Sequence, residues 1–268
     1  MIGAIIGDIV GSRFERYNHK SKDFELFNAR CRPTDDSMMT LAIAKALVDS
    51  NEDYSDLSKK AIYWMQTIGC AHKNAGYGGG FRRWLQADHP RPYNSYGNGA
   101  AMRISPVGWV ADSIEEVKDL SYKVTSVTHN HSEGLKGAEA TAICIYLARN
   151  NYTKEDIKEY INNNYYNINF TLLEIRDDYK FDVSCQGSVP QALECFFESE
   201  DYEDAIRNAI SIGGDSDTIG AICGGIAEAY YGLPDEIKEK VRDYLDDDLL
   251  DIIDEFIKSD RNSYKSEV

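Results

Sequence analysis

Apolar residues recur along this chain at the spacing of three and four positions that is typical of amphipathic helices. The pattern predicts helices over residues 38–47, 55–69, 134–149, 202–212 and 217–231. The alternation of apolar and polar positions that marks strands is nearly absent, although residues 168–181 fit either a short strand or a helical turn beginning at Thr171. We therefore expect an all-α fold, organised as one compact domain over residues 1–268.

Short polar residues, proline and glycine further indicate where helices begin and where two helices can pack closely. Thr153 precedes a short helix as a candidate N-cap, and Pro190 is expected in the first turn of a helix that runs to Phe197. Within the last of the periodic segments, Gly220 and Gly224 leave room for a second helix to approach closely.

The segment between Gly69 and Ser105 departs from the helical pattern. It is rich in Gly, Tyr, Asn and Pro, and it is too irregular for helices alone. Loops of this length in a compact helical domain are usually functional, so we expect this segment to bind a ligand.

Charge and cysteine usage narrow the class of protein. The chain has 45 acidic and 29 basic residues and a formal net charge of −16, which disfavours a nucleic-acid partner. Six cysteines without a Cys-x-x-Cys pair, most of them in apolar stretches, favour reduced, buried thiols in a cytoplasmic protein. The first residues are interrupted by Asp8 and fit neither a signal peptide nor a membrane span, and no other apolar run is long enough to cross a bilayer.

Two aspartate-rich motifs lie far apart in the sequence. They are Thr34-Asp35-Asp36-Ser37 and Gly213-Gly214-Asp215-Ser216-Asp217-Thr218. Four carboxylates brought together repel one another unless cations lie between them, and such oxygen ligands suit magnesium, manganese or calcium better than zinc. The motifs therefore indicate a two-metal site. The alternative is that Asp35 and Asp215 only cap helices, and two such motifs favour metal binding together with capping.

Further candidate residues lie in the glycine-rich segment 94–103 and just after it. The glycines let backbone amides approach an oxyanion such as a pyrophosphate. Tyr96 either stacks on adenine or packs inside the protein, and Arg103 pairs with a phosphate or, as we favour, with a buried carboxylate. His129 and His131 lack a further ligand at zinc spacing, and a histidine at a helix end is the simpler interpretation.

Five segments together resemble the ADP-ribosylglycohydrolase family, which includes dinitrogenase reductase-activating glycohydrolase and the related eukaryotic ADP-ribosylhydrolases. The segments are Gly7 to Glu15, the first aspartate pair, residues 76–105, Thr128 to His131, and Gly213 to Gly220. The match runs in order from residue 2 to about residue 233. It implies an all-α orthogonal bundle with a binuclear magnesium centre in a cleft, with manganese as the alternative metal.

The resemblance also implies roles for individual residues. The metal ligands map onto Thr34, Asp35, Asp36, Asp215, Asp217 and Thr218, while Ser216 lies between ligands and can simply close the turn. The residues that bind ADP-ribose map onto Gly78, Gly80, Ser95, Tyr96, Gly97, Asn98, Gly99, Met102 and His129. Glu15, which follows a glycine-containing turn and would otherwise be taken for a solvated side chain, becomes the general acid or base. Asp36 is the metal ligand on which we expect turnover to depend.

The implied activity is hydrolysis of the bond between C1 of the distal ribose of ADP-ribose and an acceptor. The acceptor is an ADP-ribosylated protein side chain or a small ADP-ribose ester, and the protein is expected to act as a monomer. Two alternatives stay open from the sequence: a non-catalytic ADP-ribose-binding protein and a binuclear-metal phosphohydrolase.

Overall fold

The computed structural model describes residues 1–259, which form helices joined by loops. These residues contain fourteen α-helices and three short 3-10 helices, and their only β-bridge is an isolated one between Gly97 and Ser184. The predicted all-α fold is confirmed. Within the described residues, no helix is both long enough and apolar enough to cross a membrane.

The α-helices are α1 (Ile2–Gly11), α2 (Asp35–Ser50), α3 (Leu57–Ala71), α4 (Gly79–Leu85), α5 (Ser105–Val110), α6 (Ile114–Thr125), α7 (Ser132–Arg149), α8 (Lys154–Asn164), α9 (Leu172–Ile175), α10 (Cys185–Phe197), α11 (Tyr202–Ser211), α12 (Ser216–Tyr231), α13 (Asp235–Lys240) and α14 (Asp247–Lys258). The 3-10 helices are Tyr54–Asp56, Asn98–Ala100 and Val241–Asp243.

The helices expected from periodicity are present as α2, α3, α7, α11 and α12. The predicted cap of α8 is also confirmed, because the Thr153 hydroxyl accepts from the Asp156 amide and the Asp156 carboxylate accepts from the Thr153 amide. The strand alternative for residues 168–181 is wrong, since Thr171 caps the single helical turn of α9 in the same reciprocal way.

Two expectations about helix starts are wrong. Pro190 lies inside α10 instead of in its first turn, because the Ser184 hydroxyl accepts from the Gly187 amide and starts that helix several residues earlier. The glycines before Glu15 do not form a turn but belong to α1, in which every residue is buried.

The segment 69–105 is only partly irregular. It contains α4 and the 3-10 helix Asn98–Ala100, and both border the cleft described below. All six cysteines are unpaired, and five of them are buried as expected. Cys70 is the exception, since it lies exposed near the end of α3.

The backbones of α1 and α12 touch directly at glycines. A Cβ atom on Gly7 would lie 1.9 Å from the carbonyl oxygen of Gly220, and one on Gly224 would lie 2.3 Å from that of Gly3. The close approach predicted from Gly220 and Gly224 is therefore confirmed. Because both helices run through the core, this contact brings Asp8 of α1 close to Asp217 of α12.

We expect Gly7→Ala to lower the free energy of unfolding by about 3 kcal/mol, since overpacking against backbone atoms cannot be relieved by a rotamer change. The matched control is Gly79→Ala in α4, where a Cβ atom would meet nothing within 4 Å. This control should change stability by less than about 1 kcal/mol. Urea unfolding followed by circular dichroism measures both, and equal losses would show that the α1–α12 contact is not the cause.

Candidate active site

A cleft with a volume of about 340 Å³ opens where the turn after α1 meets the starts of α2 and α12. Of the residues predicted to form a site, its walls contain Glu15, Asp35, Asp36, Gly78, Gly80, Ser95, Gly97, Asn98, Gly99, Met102, His129, Asp215, Asp217 and Thr218. Thr34 and Tyr96 do not line it. Residues from the two ends of the chain thus share one cavity, whose size is typical of a small-molecule site.

The floor of the cleft is a continuous cluster of carboxylates. Oxygen atoms of Asp8, Asp36 and Asp217 lie within 4.8 Å of one another, and so do those of Glu15, Asp215 and Asp217. Asp217 belongs to both groups, so the five side chains form one acidic cluster, in which Asp8 is fully buried behind the residues that line the cleft.

Burial makes this cluster costly in its ionised form. It raises the pKa of Asp35 to about 7, with a further contribution from the charge of Asp8, and it raises the pKa of Asp215 to about 6. Burial raises the pKa values of Asp36 and Asp217 well above the ordinary range, and repulsion adds to this, first from Asp217 on Asp36 and from Asp215 on Asp217. The cluster must therefore hold protons or be neutralised by a cation.

The donor set fits a divalent metal. The Asp36 Oδ1 atom is buried and has no hydrogen-bond partner within residues 1–259. An orphaned carboxylate oxygen among four other carboxylates is chemically suited to a hard cation that prefers oxygen ligands. The residues present therefore fit magnesium or manganese.

Asp8 is a site residue that the sequence interpretation missed. Its carboxylate accepts from the Thr34 amide at 2.8 Å, from the Thr34 hydroxyl at 2.7 Å, from the Ser37 amide at 3.0 Å and from the Ser37 hydroxyl. These bonds hold the first turn of α2, and with it Asp36, against α1. The available signal was a lone carboxylate inside an apolar stretch, which is rarely buried without a partner.

The prediction that Asp35 and Asp215 cap helices with their side chains is wrong. The N-cap of α2 is Thr34, whose hydroxyl accepts from the Asp36 amide at 3.3 Å, and Asp35 occupies the first helical position. Asp215 does occupy the N-cap position of α12, but its carboxylate makes no capping bond and instead accepts from the Asn98 side-chain amide at 2.7 Å. Both carboxylates are thus left to face the cleft.

The glycine-rich segment is fixed to the rest of the wall by backbone hydrogen bonds. The Asn98 amide donates to the Val183 carbonyl at 2.8 Å, and the Cys185 amide donates to the Tyr96 carbonyl at 2.9 Å. Together with the bond from Asn98 to Asp215, these contacts hold the segment rigidly beside the acidic cluster.

His129 presents a neutral imidazole to this segment. Burial and the nearby Arg103 guanidinium hold its pKa well below the ordinary value. Its Nδ1 atom faces the Thr128 hydroxyl at 2.7 Å and an Arg103 nitrogen at 3.3 Å, so Nδ1 accepts and Nε2 carries the proton. A Cβ atom on Gly97 or Gly99 would lie 3.6 or 3.5 Å from Nε2. This N–H group is therefore a donor beside the glycine-rich segment.

Arg103 does not pair with a carboxylate as favoured from the sequence. It is buried, donates to the Thr128 hydroxyl at 2.6 Å and lies 5.5 Å from the centre of the Phe81 ring, and it forms no ion pair within residues 1–259. The zinc interpretation gains no support, because His131 is the N-cap of α7 and accepts from the Glu133 amide.

The stacking role predicted for Tyr96 is not supported. Its ring is 51% exposed outside the cleft and packs edge-on against His131 at 5.2 Å. The aromatic side chains that do line the cleft are Phe81, Tyr93 and Phe181. Sequence reasoning missed them because no motif distinguishes them from ordinary packing residues.

A known protein family and several individual proteins are similar to this chain. The model of the ADP-ribosylglycohydrolase family matches residues 1–266. The human protein ADP-ribosylhydrolase ARH3 is 24% identical, over 93% of this chain and 90% of its own length. The ADP-ribosylarginine hydrolase Tri1 of Pseudomonas putida is 26% identical, over 90% of this chain and 72% of its own.

A solved structure with the same fold is described as an ADP-ribosylglycohydrolase-related protein complex. It aligns with a TM-score of 0.69 and 22% sequence identity, over 98% of this chain and 97% of that one. At this identity the likeness extends to the fold alone.

We expect Asp8→Ala to lower the free energy of unfolding by about 3 kcal/mol, because the Thr34 and Ser37 amides become buried donors without an acceptor. Asp8→Asn is the matched variant, since its carbonyl oxygen can accept from both amides while its NH₂ group donates to the Thr34 hydroxyl. It should cost less than about 1 kcal/mol. Urea unfolding measures both, and equal losses in the two variants would argue against the hydrogen-bond explanation.

Proposed function

The chain belongs to the ADP-ribosylglycohydrolase family, and we propose that it is a divalent-metal-dependent hydrolase that releases ADP-ribose from a modified acceptor. The bond cleaved joins C1 of the distal ribose to an acceptor atom. The observation that carries this proposal is the buried carboxylate cluster at the floor of a cleft, tied to a rigid glycine-rich wall by the bond from Asn98 to Asp215.

The proposed cofactor is a pair of magnesium ions, with manganese as the alternative. The proposed ligands are Thr34, Asp35, Asp36, Asp215, Asp217 and Thr218. All of them except Thr34 line the cleft, and the Thr34 hydroxyl already donates to Asp8. When bound, the metals supply neutralisation of the cluster, an anchor for ribose hydroxyls and activation of a water molecule. The four aspartates are then fixed as ligands and do not act as bases.

Proton transfer is assigned to Glu15. Its side chain is half-buried, lines the cleft and has a carboxylate oxygen within 4.8 Å of ligand oxygens of Asp215 and Asp217. Glu15 would protonate the leaving acceptor atom or take a proton from the attacking water as positive charge develops on the ribose.

The opposite wall of the cleft is suited to the rest of ADP-ribose. The backbone amide of Gly99 and the Nε2–H donor of His129 offer hydrogen bonds to phosphate or ribose oxygens, whereas the Gly97 amide already donates to the Ser95 hydroxyl at 3.2 Å. Tyr93 and Phe181 offer aromatic surface for an adenine ring, and the buried charge of Arg103 behind His129 favours an anion at this end.

The acceptor is the part of the substrate that the site defines least. Glu15 and Thr218 resemble the serine-type and O-acyl-type members of the family, which implies an O-linked acceptor, whereas the Pseudomonas relative is named for ADP-ribosylarginine. The test of activity therefore uses both an O-linked and an arginine-linked substrate.

Incubation with magnesium and with serine-linked and arginine-linked ADP-ribosyl peptides, followed by chromatography, should yield free ADP-ribose from one of them. Asp36→Ala and Asp217→Ala should lower the rate by at least about 100-fold, because each removes a metal ligand. Asp119→Ala, an exposed aspartate of α6, is the matched control and should retain full activity.

Three outcomes would contradict the proposal. Release of AMP or phosphate instead of ADP-ribose would indicate a phosphohydrolase. Tight binding of ADP-ribose without turnover of any acceptor would indicate a binding protein. Full activity of Asp36→Ala with added magnesium would exclude the assigned metal centre.

Metal binding should depend on pH in a defined direction. The raised pKa values mean that the folded, metal-free cluster retains protons that the unfolded chain has already released, so its stability falls as pH rises towards 6 to 7. Magnesium competes with those protons. We expect the magnesium-induced rise in melting temperature to be small at about pH 5.5 and large at about pH 8.

Thermal unfolding in EDTA and in magnesium chloride measures this difference at each pH. Asp36→Ala should show little magnesium effect at either pH, whereas Asp119→Ala should behave like the wild type. A magnesium effect that is independent of pH would mean that the cation binds elsewhere.

A further inference from the structure

Residues 12–33, which connect α1 to α2, reverse the charge balance of the chain. They contain three acidic residues, Glu15, Asp23 and Glu25, and six basic ones, Arg13, Arg16, Lys20, Lys22, Arg30 and Arg32. Elsewhere the chain is strongly acidic, with a formal net charge of −16 overall. A local excess of positive charge on such a protein requires a specific explanation.

Three of these basic side chains hold the connection in place. Arg13 donates to the carbonyl of Glu25 and packs over a neighbouring aromatic ring at 4.5 Å. Lys20 donates to two main-chain carbonyls at 2.7 and 2.6 Å, and Lys22 pairs with Asp204. Their charges are used within the fold.

The other three are not used in this way. Arg16, Arg30 and Arg32 are exposed, and their side chains form no ion pair or hydrogen bond within residues 1–259. Together with Arg13 and Tyr17, which is 77% exposed, they line a depression of about 260 Å³. We call Arg16, Arg30 and Arg32 the arginine surface.

The arginine surface adjoins the proposed reaction centre. Glu15 lines both the cleft and the depression, so the two cavities meet at the residue assigned to proton transfer. The glycine-rich wall that suits ADP-ribose lines the cleft and is absent from the lining of the depression. An acceptor chain that leaves the cleft past Glu15 into this depression would meet all three arginines, whereas the neighbouring depression with Asn18, Phe181 and Gly214 would bring it to Arg16 alone.

We propose that the arginine surface binds acidic side chains that flank the modified residue of a protein acceptor, an inference that rests on the proposed hydrolase function. Guanidinium groups pair with carboxylates in two parallel hydrogen bonds, and Tyr17 adds aromatic contact area for a peptide. The three arginine side chains are suited to pair with a short stretch of acidic residues in a peptide. A longer polyanion such as nucleic acid would extend beyond these three arginines on a protein whose formal net charge is −16, and it would be repelled.

The test uses two peptides with the same ADP-ribosylated residue, flanked either by Asp and Glu or by Asn and Gln, and a single ADP-ribosylated amino acid without flanks. At low ionic strength, wild-type kcat/KM should be about tenfold higher for the acidic peptide. In R30Q/R32Q this preference should vanish, while turnover of the single amino acid changes by less than about twofold. The full-length variant Lys118→Gln, which removes an exposed charge from α6, is the matched control.

A charge swap separates docking from a merely structural role. R30E/R32E should disfavour the acidic peptide and prefer one flanked by lysines, whereas a damaged fold would slow all substrates equally. The preference should also shrink with added salt, because the Debye length falls from about 10 Å at 0.1 M to about 3 Å at 1 M.

Binding of labelled, unmodified peptides, followed by fluorescence anisotropy, distinguishes failure of the proposed hydrolase function from failure of the proposed docking surface. If no substrate releases ADP-ribose, the proposed function fails, and weaker binding of the acidic peptide by R30Q/R32Q still supports the docking surface. If turnover occurs but acidic and neutral peptides behave alike, the docking surface is refuted and the hydrolase stands. A single-stranded oligonucleotide that binds more tightly than the acidic peptide, and loses affinity in R30Q/R32Q, would overturn the assignment to a protein acceptor.

Discussion

The site depends on the direct backbone contact between α1 and α12. Because Gly7 and Gly220 carry no Cβ atoms, the two helices approach until their carbonyls lie against each other's glycines. That distance puts Asp8 and Asp217 into one cluster. Asp8 in turn holds the first turn of α2 by accepting from Thr34 and Ser37. A single packing contact therefore sets the relative positions of three helices and of the carboxylates they carry.

The cluster of buried carboxylates lowers the stability of the fold, but it also provides a set of oxygen ligands suited to a cation. Buried carboxylates that repel one another raise each other's pKa, and the Asp36 Oδ1 atom has no partner within residues 1–259. The surrounding fold holds them in place by bonds that the cluster itself does not supply, such as the one from Asn98 to Asp215. The proposed cations would stabilise this arrangement, because their binding energy offsets repulsion between the carboxylates that is already present.

Sequence reasoning reached the helices and the paired aspartates because both are local signals. Hydrophobic periodicity predicts which face of a helix is buried. Asp-Asp and Asp-x-Asp patterns indicate oxygen ligands for a cation even when the fold is unknown. It missed the role of Asp8, which exists only through the distant Thr34 and Ser37. The adenine-stacking role of Tyr96 stays a prediction, and in the structure this side chain packs against His131 and does not line the cleft. Contacts between distant segments and loop side-chain directions are tertiary properties, and no local pattern encodes them.

The two ends of the cleft are built differently, and this difference affects how easily the specificity for each part of the substrate can change. The end suited to ADP-ribose consists of glycine backbone, a neutral His129 and a buried Arg103, all fixed by hydrogen bonds. The end proposed for the acceptor consists of exposed side chains on the connection 12–33, which is attached to the core through Arg13, Lys20 and Lys22. Substitution of exposed side chains on such a connection costs little stability, whereas substitution in the buried wall costs much. On the proposed assignment, acceptor preference can therefore change through residues 12–33 while the carboxylate cluster and the glycine-rich wall stay unchanged. Glu15, which lines both the cleft and the depression beside the arginines, lies at the boundary between these two parts.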